Sequence, residues 1–251
     1  MSPPAGDAPR SRLPAILLGT VATLVTIACL GLGIWQLERR VWKLDLIARV
    51  EARSTAPAIP PPPPAEWARM DPREVEYRHV AISGRFRHDR ETLVQAVTEH
   101  GPGFWVLTPL DTDDGFTLLV NRGFVPLDRR DPATRMAGNA EGARRITGLL
   151  RITEPDGAFL RSNDPAAGRW YSRDVAAILK ARGIERGAPY FVDADATPDP
   201  GGLPIGGLTV LAFRNAHLIY ALTWFGLSLM GAVALAFLIR QERGRKGGPR
   251  F

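Results

Sequence analysis

The stretch Asn215-Ala216-His217-Leu218-Ile219-Tyr220-Ala221-Leu222-Thr223-Trp224-Phe225 holds the residues best suited to chemistry: His217, Tyr220 and Trp224. They fall three and four positions apart, so a helix puts them on one face. A neutral imidazole ligates metal. Asn215 is placed to cap such a helix by accepting a first-turn N–H. In that first turn the helix dipole favours negative over positive charge. Tyrosine and tryptophan also belt membrane interfaces with no ligand present, and a histidine there can simply face water. The residue types alone leave both readings open.

The element that carries these side chains is apolar to about Ile239, and about 22 residues at ~1.5 Å each span a bilayer core. We expect a transmembrane helix over 216–239. A second apolar block, 13–36, reads as an uncleaved transmembrane helix, too long for a signal-peptide core. The lone Cys29 lies inside it and has no partner for an intrachain disulfide. Ala15, Gly19 and Thr23, with Ser228, Ala232 and Ala236, make small-residue stripes at four-residue steps, which would let the helices approach each other. Trp35-Gln36-Leu37-Glu38-Arg39-Arg40-Val41-Trp42-Lys43 continues the first helix as an amphipathic extension to about 50. Trp35, Gln36, His217, Tyr220 and Trp224 would then wall one pocket at the membrane boundary. Arg39, Arg40 and Arg214 lie near it as partners for carboxylates.

Residues 1–12 form a short tail and 240–251 a basic one. Pro57 and Pro60–Pro64 predict an extended Pro-rich linker over 51–70. A β-rich domain follows over 71–212. Its strands are expected at 77–86, 91–98, 104–110, 116–121, 145–152 and 189–193, with a helix within 171–182. Asp113-Asp114-Gly115 predicts a hairpin turn. The fold class is thus two transmembrane α-helices flanking a mainly antiparallel β (α+β) domain. Arg240, Arg243, Arg245, Lys246 and Arg250 put the C-terminal end in the cytoplasm by the positive-inside rule. The N-terminus then shares that side and the domain lies outside. Arg39, Arg40 and Lys43 pull the other way.

The net charge of +6 is scattered, with no basic stripe interleaved with aromatics, so nucleic acid is not an expected partner. No nucleophile elbow, phosphate-binding glycine loop or His-Glu-x-x-His is present, and we expect no enzyme. His79 reads as a structural strand residue, and His88 and His100 as loop residues. Asp193, Asp195 and Asp199 read as acids of a solvated turn rather than a cation site. Arg122 reads as one half of an ion pair.

Several motifs together carry a resemblance. They are Gly33-Ile34-Trp35-Gln36-Leu37 with Arg39 and Lys43; Gly103-Phe104-Trp105-Val106 with Thr108-Pro109-Leu110; Val120-Asn121-Arg122-Gly123-Phe124-Val125-Pro126; Trp170-Tyr171 with Asp174; and Asn215 to Phe225. Over nearly its whole length the chain resembles the Surfeit locus protein 1 family of cytochrome c oxidase assembly factors. Phe124 stands where an aromatic, often Trp, is usual, and the proline run is particular to this chain. The resemblance implies a non-catalytic protein of the cell inner membrane, both termini cytoplasmic and the domain periplasmic. It implies haem a as cofactor, with His217 as axial ligand to the iron, and a role in inserting haem a into the catalytic subunit of cytochrome c oxidase. Haem a synthase and membrane lipid are the further implied partners. The alternative is a cofactor-free membrane scaffold that stabilises oxidase assembly intermediates; a sensor is disfavoured because no output domain follows Arg240.

Overall fold

The computed structural model describes residues 13–155, 157, 160–209, 211 and 215–246. The chain divides into two units, one made of 1–48 and 212–251, the other of 49–211.

The first unit is helical. Helix α1 runs from Leu13 to Thr55 and α4 from His217 to Lys246. Each contains a stretch long and apolar enough to cross a membrane. On α1, Gly19, Ala22, Thr26, Cys29, Gly33, Gln36, Arg40 and Lys43 are buried or half-buried, with exposed residues between them. On α4 the same holds for His217, Ala221, Trp224, Ser228, Gly231, Leu235 and Leu238, with Phe225 also half-buried. The steps alternate between three and four, the 3.5-residue average that keeps one seam facing a partner helix.

The expected stripes at constant four-residue steps are therefore corrected. A four-residue step turns about 40° past a full turn, so such a stripe winds off the contact. Gly19 and Ser228 stay on the seam, whereas Thr23, Ala232 and Ala236 are exposed; the Ala15 side chain lies outside the described residues. The small residues on the seam do admit close approach. A Cβ on Gly33 would sit 2.4 Å from the Phe225 ring, and one on Gly231 would sit 2.3 Å from Thr26 Oγ1. Ser228 Oγ donates to Thr26 O at 3.1 Å.

The second unit is built on six strands: β1 (His79–Phe86), β2 (Thr92–Thr98), β3 (Gly101–Thr112), β4 (Thr117–Pro126), β5 (Ala143–Ile152) and β6 (Gly187–Ala194). Their order is β1-β5-β6-β4-β3-β2, and β1 also pairs with β3. Five strands thus close into a barrel-like ring while β2 extends from β3 as an edge. All pairings are antiparallel except β4 with β6. Parallel strands are usually buried on both faces, and β4 is. Leu118 and Val120 point into the ring with Leu110, Leu150, Tyr190 and Val192. Leu119 points the other way, under α3 (Val175–Ala181), with Leu107, Trp170, Ile178 and Phe191. The turn from β3 to β4 is the one Asp113-Asp114-Gly115 predicted, with Gly115 at φ +82°.

Helix α4 runs past the expected end at 239 to Lys246, so the start of the expected 240–251 tail is helical, and the two boundaries of the linker also differ from the sequence reading. Helix α1 continues to Thr55, so the start of the expected 51–70 linker is helical. The proline run forms no helix, and it is part of the domain rather than a spacer. Ile59 bridges to Val80 of β1. Pro61 and Pro62 are buried, and Pro62 O accepts from Tyr190 Oη at 2.6 Å and Trp67 Nε1 at 3.0 Å. Trp67 in turn meets the edges of Phe116 and Tyr190, closing the barrel core on that side. Proline lacks an N–H, so its carbonyls accept from side chains while Ile59 supplies the backbone pairing.

Candidate functional site

The helix pair brings together residues that lie far apart in the chain. His217 opens α4 half-buried, and its Nδ1 lies 2.7 Å from Gln36 Oε1 on α1. Ala221, buried, and Trp224, half-buried, follow on the same seam. Gly33, one turn before Gln36, takes the Phe225 ring against its bare backbone. Removing the side chain at that point is what lets the two helices come near enough for the His217–Gln36 contact.

The remaining candidate residues lie around this contact. Tyr220 falls at the rim of the His217 face and is 57% exposed. Trp35, Arg39 and Trp42 share one flank of α1 beside the seam. Trp35 is 52% exposed, and the Arg39 guanidinium sits 4.0 Å from the Trp42 ring centroid, a cation–π contact. Arg40 is half-buried on the seam itself. Arg214 lies outside the described residues.

The cap expected of Asn215 does not form. Its Oδ1 is buried and has no hydrogen-bond partner among the described residues. The first helical bond runs instead from Tyr220 N to Ala216 O, one residue further in. Asn215 therefore precedes the capping position, and its side chain misses the first-turn donors.

Chemistry-bearing residues of the β domain are engaged with each other. Arg122 is buried and donates to Asp199 at 2.8 Å, to Asn139 Oδ1 at 2.9 Å, to Gly138 O and to His88 Nδ1 at 3.2 Å. It is the expected ion pair. His88 then donates from Nε2 to Ala140 O at 3.3 Å. Burial, and next the charge of Arg122, hold the His88 imidazole below its ordinary range. His79 Nδ1 contacts Ala56 O at 2.8 Å, a structural role. His100 is exposed and stacks on Phe124.

The solvated-turn reading of the aspartates is corrected at two positions. Asp193 lies on β6, buried, and accepts from Asn121 at 2.8 Å, Arg151 at 2.9 Å, Arg173 at 3.2 Å and Thr209 at 3.0 Å. Asp199 is shared by Arg122 and Arg144, each at 2.8 Å. Asp195 is held by Thr147 Oγ1 and Thr197 N. A cation would find Asp193 and Asp199 already neutralised by guanidinium. Among the described residues, no group of three His, Cys, Asp or Glu gathers to hold a metal ion. The Arg135–Glu91 pair, bidentate and buried, was invisible in the sequence, as were the arginines around Asp193. The partners are strands apart, and no local spacing marks them.

The SURF1 family model matches residues 23–229, a span holding both the Gln36 and the His217 segments. Surfeit locus protein 1 of Homo sapiens is 39% identical over 225 residues, covering 83% of this chain and 73% of that protein. A SURF1-like protein of Monosiga brevicollis is 39% identical, covering 89% of this chain and 88% of its own. Surfeit locus protein 1 of Takifugu rubripes is 37% identical, covering 81% and 89%. With that extent of likeness, the chain belongs to the SURF1 family, a family of cytochrome oxidase assembly factors.

Proposed function

We propose that this protein binds haem a at the start of α4 and aids its insertion into the catalytic subunit of a haem–copper cytochrome c oxidase. The observation that carries the reading is the placement of His217. A half-buried imidazole stands at the start of an apolar helix, on the seam with α1, with Tyr220 and Trp224 following it along the same helix. Ionisable groups at such positions are rare without a function.

The residues present fit the group. His217 offers an imidazole nitrogen as axial ligand, a common ligation of haem iron. Trp224, Tyr220 and Trp35 offer flat faces to the macrocycle. Arg39 and Arg40, with Arg214, supply guanidinium groups whose geometry matches the propionate carboxylates. The apolar helix surface suits the porphyrin and its long tail. Haem a itself would supply only the cargo; the role assigned to the chain is holding it, with no reaction catalysed. The two apolar helices agree with a membrane location. The basic residues after Ile239 support cytoplasmic termini and a periplasmic domain in a cell inner membrane. Haem a synthase is the expected donor.

The test is the absorption spectrum of protein purified from cells that make haem a. His217→Ala is expected to lose the coordinated-haem band while still inserting and keeping a folded domain, and oxidase from that strain should contain less haem a. An unchanged spectrum in His217→Ala would refute the ligand assignment. A colourless native protein that still co-purifies with oxidase would instead support a cofactor-free scaffold.

A further inference from the structure

We infer that Gln36 is the positioning residue of this site: by accepting a hydrogen bond from Nδ1 of His217, it fixes the tautomer that leaves Nε2 free to bind iron. The inference rests on the reading of His217 as an axial ligand, and the observation behind it is separate. Gln36 Oε1 is a carbonyl oxygen and can only accept, so at 2.7 Å the proton of the pair is on Nδ1. In a neutral imidazole the other nitrogen then carries the free lone pair. A carbonyl on the far ring nitrogen is how metal-binding histidines are commonly oriented and made more basic.

The bond also crosses between helices. Gln36 belongs to α1, His217 to α4, and the approach that joins them depends on the bare backbone of Gly33 against the Phe225 ring. Neither helix alone fixes the ring. The ligand is therefore set for coordination only when the pair has formed, which ties haem capture to a correctly assembled membrane unit. Tyr220 and Trp35, more than half exposed, can offer surface to a porphyrin without this constraint.

Two variants test it in the full-length protein in detergent. Gln36→Leu keeps the volume and removes the acceptor; Gln36→Glu keeps an acceptor oxygen. In haem-free protein, nitrogen-15 spectra of the imidazoles, with the His217 signals identified by their loss in His217→Ala, should place the proton on Nδ1 in the native chain. Gln36→Leu should move it to Nε2, and Gln36→Glu should restore it. In protein loaded with haem a in the cell, Gln36→Leu is expected to weaken binding by about 10–100-fold. The iron–imidazole stretching frequency of the reduced protein should fall in any Gln36→Leu that retains haem and rise in Gln36→Glu. A native Nδ1 proton and native haem affinity in Gln36→Leu would overturn the inference, as would an unmoved stretching frequency in Gln36→Glu. If His217→Ala keeps the haem spectrum, the ligand reading itself has failed, and the nitrogen-15 result shows whether the tautomer assignment survives without it.

Discussion

The β domain and the helix pair treat polar groups in opposite ways. In the domain, guanidinium and carboxylate groups neutralise each other. Arg135 closes bidentately on Glu91, Arg173 bridges Glu154 and Asp193, and Arg122 donates from its two terminal nitrogens to Asp199, Asn139, Gly138 and His88. A buried charge is tolerable only when paired, so such networks hold the fold and offer little to a ligand. In the helix pair, the His217 side chain makes one hydrogen bond among the described residues, at Nδ1 to Gln36, and that bond leaves the other ring nitrogen as an acceptor. If His217 is the ligand proposed above, the number of buried charges is a poor guide to function in this chain, and the better guide is a ring nitrogen that a hydrogen bond has oriented without consuming it.

The sharpest way to break the comparison is to cut the most buried ion pair. Arg135→Met leaves Glu91 buried without its partner, and is expected to destabilise the domain by about 3–5 kcal/mol. That is about 10 °C in melting temperature for a chain of this size. The domain's pairs are structural if the haem spectrum, recorded well below that melting point, is unchanged. A lost spectrum with a folded domain would place the ion pair in the function and blur the distinction.

Gly33→Leu should do the converse. The added side chain meets the Phe225 ring, so the helices must separate locally, at a cost of about 1–3 kcal/mol. Haem content should fall sharply while domain melting stays native. Crosslinking between cysteines introduced at positions 36 and 217 should fall with it. Undiminished crosslinking would show that the helix pair absorbs the extra volume elsewhere.

The smallest effect belongs to His88. Burial and Arg122 lower its folded-state pKa below the ordinary 6.5, so the unfolded chain binds more protons in the window between the two values. Stability should be full above about 6.5 and decline as pH falls through that window, then level off below the folded value. Solvent screening of this half-exposed ring keeps the loss within about 1 kcal/mol. His88→Gln, which keeps an acceptor for Arg122, should flatten the pH profile of domain unfolding. A profile unchanged by that substitution would assign the acid sensitivity to another group.

Much of this organisation can be read from residue order because it rests on local physics. The apolar lengths of α1 and α4, the β-branched and aromatic segments that form the six strands, and the turn at Asp113-Asp114-Gly115 follow from local composition and backbone preference. His217 and Gln36 were also legible as candidates, since polar residues at the ends of apolar helices stand out against their surroundings. Their partnership was not. It depends on a seam advancing by 3.5 residues, where a run of small residues at every fourth position pointed to a drifting line.

Tertiary structure alone decided the rest. Ring closure by β1 and β3 and the parallel pairing of β4 with β6 join segments whose own sequences carry no mark of the partner. The proline run could equally have been a free spacer. Its docking depends on the Tyr190 hydroxyl and the Trp67 indole reaching a carbonyl that proline cannot satisfy within a ladder of its own. Asp193 reads as a turn acid until β6 carries it beneath Arg151 and Arg173. Residue order determines which groups this protein has and the local shape of each segment. Only the packed chain determined which groups neutralise one another and which imidazole nitrogen was left free, because both depend on distances between residues remote in the chain.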